Sequence, residues 1–148
     1  MKIENIDHLE LRLYSTSETV RPLFEVIVNG KPYLETIAAF EQRFKGGPVG
    51  AYMAGLGEET LRHRLLEKDA HITPYICDCG EPGCWPLVCQ TKVMDSVVIW
   101  TNWSNPHRDD KSREDEGYYW DYSSLPDLIF ERQAYEKAIN NALAELSS

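Results

Sequence analysis

Trp85-Pro86-Leu87-Val88-Cys89-Gln90-Thr91-Lys92-Val93-Met94-Asp95-Ser96-Val97-Val98-Ile99-Trp100-Thr101-Asn102-Trp103 is the stretch on which the fold turns. Two runs, 85–94 and 97–103, are rich in β-branched and aromatic residues and meet at Asp95-Ser96. Two residues is the commonest hairpin loop length, so the stretch predicts an antiparallel hairpin; Asp-Ser is a weaker turn signal than Asp-Gly. With that loop Met94 faces Val97, and stepping outward along both strands brings Cys84 opposite His107. A bulge would move the pairing by a residue or two, and Pro106 cannot donate to a ladder. Trp100 and Trp103 have opposite parity, so a regular strand points only one of them inward.

Upstream, residues 6–15 alternate, with Leu9, Leu11 and Leu13 on one face and His8, Glu10 and Arg12 on the other. Leu23–Val28 repeats the pattern through Phe24, Val26 and Val28, and Asn29-Gly30 ends it with a turn. Ser15-Thr16-Ser17 supplies loop chemistry between the two runs, which predicts a second hairpin. From Tyr33 the period changes. Tyr33, Ile37, Phe40 and Phe44 recur at helical steps, so a helix is expected over about 33–45, stopped by Gly46-Gly47-Pro48. Residues 49–72 are the least legible: three glycines argue for loop, and Glu58–Leu66 fits a short helix with Leu61 and Leu65 inward. Downstream, Asp109–Glu116 sets five acids against Lys111 and Arg113 and reads as a solvated loop. Leu128–Phe130 is a short apolar piece before a helix over 131–146, with Tyr135, Ile139, Ala142, Leu143 and Leu146 on one face. With no repeat or linker, residues 1–148 read as one domain. Its expected class is α+β: an antiparallel sheet with the two main helices, 33–45 and 131–146, packed on one face.

Composition narrows the function. A chain of 148 residues buries enough surface to fold without disulfides or metal. Fifteen basic residues against twenty-four acidic ones leave a net charge of −9, which argues against nucleic acid and for a basic protein partner. No run approaches the roughly twenty apolar residues of a membrane span, so no membrane partner is expected. Met1-Lys2-Ile3-Glu4-Asn5 lacks the apolar core of a signal peptide, and a cytoplasmic location is expected. An acidic, toxin-neutralising immunity protein fits this description; the oligomeric state is left open.

All four cysteines fall within thirteen residues, from Cys77 to Cys89. The turn Gly80-Glu81-Pro82-Gly83 folds Cys79 back toward Cys84, as a metal knuckle does. Cys89, on an extended Trp85–Cys89, lies too far along the strand and reads as a small buried apolar residue. Zinc prefers four ligands, and the hairpin offers His107 as the fourth beside Cys77, Cys79 and Cys84; three thiolates and one imidazole form a closed structural set. The spacing is C-x-C-x4-C, not paired C-x2-C, so the competing reading is four reduced cysteines in a tight turn. A Cys77–Cys79 disulfide would be strained. A third reading makes Cys84 the nucleophile and His107 the base of a thiol- or zinc-dependent hydrolase, with Asp109 or Asp121 orienting the imidazole. No G-x-S-x-G, H-E-x-x-H, Walker loop or G-x-G-x-x-G is present. The aromatics Trp85, Trp100, Trp103, Tyr118, Tyr119, Trp120 and Tyr122 are either a stacking platform for a sugar or proline-rich peptide, or sheet core and rim.

The string Cys77-x-Cys79-Gly80-Glu81-Pro82-Gly83-Cys84-Trp85-Pro86-Leu87 is followed by Asn105-Pro106-His107-Arg108, Trp120-Asp121-Tyr122-Ser123 and Phe130-x-Arg132-x-x-Tyr135-Glu136. Together they resemble a group of small bacterial proteins, from about residue 25 to residue 145. The resemblance implies a bacterial source and brings no activity with it. In the group's pattern the cysteines are those at Cys77, Cys79 and Cys84, with Cys89 outside it, and the acidic insert at Asp109–Glu116 is longer here than is usual.

Overall fold

In the computed structural model, the structure describes residues 6–14, 22–46, 48–77, 86–109 and 111–146. Nine strands and three helices run in chain order among them: β1 (Leu9–Tyr14), β2 (Leu23–Val28), β3 (Lys31–Pro32), α1 (Tyr33–Glu41), β4 (Tyr52–Ala54), β5 (Leu56–Gly57), α2 (Glu58–His63), β6 (Asp69–Cys77), β7 (Leu87–Val93), β8 (Val97–Ser104), β9 (Leu128–Glu131) and α3 (Arg132–Leu146). The class is α+β, as expected, but the antiparallel strands divide into two sheets. One has the order β1-β2-β3, with β5 also paired to β2; the other runs β4-β6-β7-β8-β9.

Backbone hydrogen bonds join the two sheets at two junctions among the described residues. The first is the corner between β4 and β5, where Gly55 donates its N–H to the Pro74 carbonyl (2.9 Å). A Cβ on Gly55 would stand 2.5 Å from the Thr73 carbonyl oxygen, so only glycine permits this approach. The second lies ahead of β1, where the Asp7 N–H donates to the Ile129 carbonyl (2.7 Å) and its carboxylate accepts from the Ile129 N–H (3.0 Å).

Both predicted hairpins form. Leu9 faces Val28 and Tyr14 faces Leu23 across β1 and β2; the intervening Ser15–Ser17 lies outside the described residues. Asn29 and Gly30 both take positive φ (54° and 84°) in the two-residue loop from β2 to β3, the conformation a tight hairpin loop demands. In the second hairpin Val93 faces Val98 and Thr91 faces Trp100, the register expected from an Asp95-Ser96 loop. Beyond Gln90 that register shifts by one, so Val88 faces Ser104. Asn102, at φ 54°, makes the shift. This corrects the parity expectation: Trp100 and Trp103 are both buried, because the bulge turns Trp103 back to the core side.

Three further expectations need correction. Helix α1 ends at Glu41 rather than near 45, and its last turn tightens into i→i−3 bonds, Arg43 N–H to Phe40 O and Phe44 N–H to Glu41 O. Phe44 nonetheless stays in the apolar stripe, edge-on to Phe40. Strand β6 begins at Asp69, within the stretch 49–72 expected to be loop and short helix, and runs on to Cys77, the first residue of the cysteine cluster. Pro74 sits where its pairing with β7 breaks register, between Ile72 and Tyr75, which is where a strand tolerates proline. On α3 the buried line runs through Tyr135, Ala138, Ile139 and Ala142, leaving Leu143 half-buried at its flank. Leu61 and Leu65 are inward, as the short-helix reading required. Helix α1 packs against β2 and β3, and α3 against β1, β8 and β9.

The centre of the core is aromatic. Trp100 meets Phe130 and Tyr135 edge-on, with ring centroids 5.4 and 6.4 Å apart. Its indole N–H donates to the Tyr135 hydroxyl (3.1 Å), which donates in turn to the Leu65 carbonyl (2.9 Å). One polar chain thus joins β8, α3 and the turn after α2. No helix among the described residues is long and apolar enough to cross a membrane.

Candidate functional site

The chemistry-bearing residues gather at the end of the five-stranded sheet away from the Asp95-Ser96 loop. Cys77 is buried at the close of β6, opposite Tyr52 on β4. His107 is exposed on the single 3-10 turn Pro106–Arg108 that follows β8. Asn105 caps that turn, its side-chain oxygen accepting from the His107 N–H (3.2 Å), while its amide donates to the Tyr52 hydroxyl (3.0 Å). Tyr52 therefore links the strand position paired with Cys77 to the turn carrying His107. Cys79 and Cys84 lie outside the described residues, and so does Trp85. Among the described residues no three His, Cys, Asp or Glu side chains are grouped to hold a metal ion. Cys89 is fully buried on β7 and burial pushes its thiol up, in keeping with its reading as an apolar residue.

Beside this end lies a buried polar cluster that the sequence reading missed. Glu41, the last residue of α1, has no exposed surface. Its Oε1 accepts from the Gly50 N–H (2.9 Å); its Oε2 accepts from the hydroxyls of Tyr52 (2.5 Å) and Tyr122. A hydroxyl that donates to an ionised carboxylate makes a charge-assisted bond. Burial, and then the adjoining carboxylate, push the Tyr52 phenol well above the ordinary tyrosine range; Tyr122 is pushed up by burial first and then by Tyr52 and Glu41. Both phenols thus stay neutral donors. A signal was present in the sequence: Glu41 stands four residues after Ile37, on the apolar stripe of its helix, where an acid is out of place.

Tyr122 also lines a surface cleft of about 500 Å³ between β8 and the segment 119–127. Three carboxylates, Asp109, Asp121 and Asp127, stand on its walls. Asp127 accepts from the Thr101 hydroxyl (2.7 Å). Asp121 accepts from the Ser123 N–H (2.9 Å), and that bond holds its carboxyl below the usual range. None of the three forms an ion pair among the described residues. The 3-10 turn Lys111–Glu116 beyond Asp109 is exposed throughout, as the acidic run implied. The 119–127 wall is anchored by Trp120, whose ring stacks on Phe44 (5.6 Å), carries the Arg108 guanidinium 3.9 Å above it, and donates its N–H to the Lys45 carbonyl (2.6 Å).

Most of the supposed aromatic platform is core. Trp100, Trp103, Trp120 and Tyr122 are buried, leaving Tyr118 and Tyr119 with accessible rings among the described residues. Trp103, 5% exposed on the floor of the cleft, has an indole N–H with no partner among the described residues. Comparison with family models, with curated proteins and with solved structures finds no match to the chain.

Proposed function

We propose that the protein is a non-catalytic binding module of the bacterial cytoplasm, akin to an immunity protein, whose partner is a basic protein seated on the cleft of Asp109, Asp121 and Asp127. The observation that carries this reading is three carboxylates on one cleft, two of them held in place by hydrogen bonds, with no cation of the chain paired to any of them among the described residues. The net charge of −9 supports it, because opposite charge steers association over distances beyond contact. A basic partner's association rate should fall as salt rises, since the Debye length shrinks to about 8 Å at physiological ionic strength. Asp121→Asn with Asp127→Asn should flatten that dependence; an association rate indifferent to salt and to both substitutions rules the reading out.

A second reading, zinc on Cys77, Cys79, Cys84 and His107, is favoured by the placement of Cys77 and His107 at one end of the fold, tied through Tyr52 and Asn105. A closed set would be structural; a water in place of one ligand would suit the hydrolase reading with Cys84 and His107. Elemental analysis of protein purified without added metal decides it. Zinc near one equivalent, with a melting temperature lowered by chelator, supports the site, and a metal-free folded protein refutes it.

A further inference from the structure

We propose that Glu41 is a positioning residue for the acidic cleft, acting through the hydroxyl of Tyr122; this rests on the cleft being the binding surface. A fully buried carboxylate is costly, and an apolar residue on the same helical stripe would avoid that cost. Glu41 forms no ion pair among the described residues, and three neutral donors compensate it: the Gly50 N–H and the hydroxyls of Tyr52 and Tyr122.

The three donors come from two separate parts of the chain, Gly50 with Tyr52 and Tyr122 alone, and the second of these belongs to the cleft. Tyr122 lies between Asp121 and Ser123, the residue whose N–H orients the Asp121 carboxylate. Fixing the Tyr122 hydroxyl on Glu41 sets how deep the 121–123 turn sits, and hence how far Asp121 stands from Asp127, which is anchored separately on β8 by Thr101. The Tyr122 ring has its own apolar seat, stacked on Phe40 at 5.4 Å. Removing only the hydroxyl therefore frees the turn without emptying the core. Tyr52 bonds the same oxygen from β4, which takes no part in lining the cleft, and its hydroxyl also accepts from the Asn105 amide, so Tyr52→Phe is a control that loses more bonds than Tyr122→Phe does.

The experiment measures binding of a hexa-arginine peptide at low ionic strength to the wild-type chain, Tyr122→Phe, Tyr52→Phe, Glu41→Gln and the Asp121→Asn/Asp127→Asn pair, each confirmed folded by circular dichroism. Tyr122→Phe should weaken binding about tenfold, the size of one lost bond to a charged acceptor, and Glu41→Gln should follow it. Tyr52→Phe should stay within about twofold of wild type although it loses a bond of the same kind. If Tyr122→Phe binds as wild type does, or if both tyrosine variants weaken binding equally, the positioning role is overturned and the cleft reading stands. If the wild-type chain fails to bind the peptide, or the double aspartate variant binds it undiminished, the cleft reading itself is overturned and the positioning role goes with it.

Discussion

Two regions of this molecule satisfy buried tyrosine hydroxyls by opposite means. Around Trp100, the Tyr135 hydroxyl sits among rings and ends its hydrogen-bond chain on a backbone carbonyl, that of Leu65. Around Glu41, the hydroxyls of Tyr52 and Tyr122 end on a carboxylate. The first region is held by apolar area, with the polar groups only needing to be satisfied. The second is held by polar bonds converging on one group, so that group's loss strands several donors at once. The difference separates what stabilises the fold from what shapes the surface: the Trp100 region joins sheet to helix, while the Glu41 region ties a cleft wall to the end of α1.

Substitutions can break the comparison. Trp100→Ala should cost about 3–5 kcal/mol in chemical denaturation, because it empties the largest fully buried position. Ile139→Ala, on the buried line of α3, should cost about 2–5 kcal/mol. Glu41→Gln should cost about 1.5–3 kcal/mol, the worth of bonds to a charged acceptor, despite a nearly unchanged volume. Were Glu41→Gln neutral, the two regions would not differ in kind. Leu143→Ala should cost less than Ile139→Ala, since Leu143 is only half-buried, and Asn140→Ala, on the exposed side of α3, should be near neutral. Equal losses at Ile139 and Asn140 would mean that the facing of α3 is wrong.

High pH tests the burial of the tyrosine hydroxyls in both regions. Tyr33, Tyr52, Tyr75, Tyr122 and Tyr135 all have phenols raised above the ordinary value, with burial the largest cause in each. The folded state therefore keeps protons that the unfolded chain releases near pH 10, so these groups add stability below that pH and lose it progressively above. The urea midpoint should hold up to about pH 10 and then drop, with phenolate absorbance growing in as the chain unfolds. Ionisation of all eight tyrosines near pH 10 in a still-folded protein would contradict the burial described for five of them.

The apolar framework was legible because apolar periodicity reports which face is covered. The β1–β2 hairpin and the inward placement of Leu61 and Leu65 follow from it, and the β7–β8 register as far as Gln90 follows from the two-residue Asp95-Ser96 loop. What escaped was local backbone departure from period. Asn102 resets the parity of β8 with no side-chain pattern to announce it, and Pro74 interrupts β6, where a proline marks an irregularity only once the strand itself is recognised. The site was harder still. Glu41 breaks its own helical stripe, but Gly50 and Tyr52 lie beyond the end of its helix and Tyr122 is 81 residues away, so only the folded chain brings the four together. His107 and Cys77 were singled out by residue type, and the link between their turn and strand through Asn105 and Tyr52 is a tertiary fact.

A basic partner should be received at one cleft and not by the acidic surface at large. Titration of isotopically labelled protein with hexa-arginine at low salt, following backbone amide shifts, separates the two. The shifts should be concentrated at Thr101, Asn102, Tyr119, Asp121 and Asp127 and lost in the Asp121→Asn/Asp127→Asn variant. Shifts spread evenly over exposed acids, including Glu10 and Glu59 far from the cleft in sequence, and unchanged in that variant, would contradict reception at one cleft.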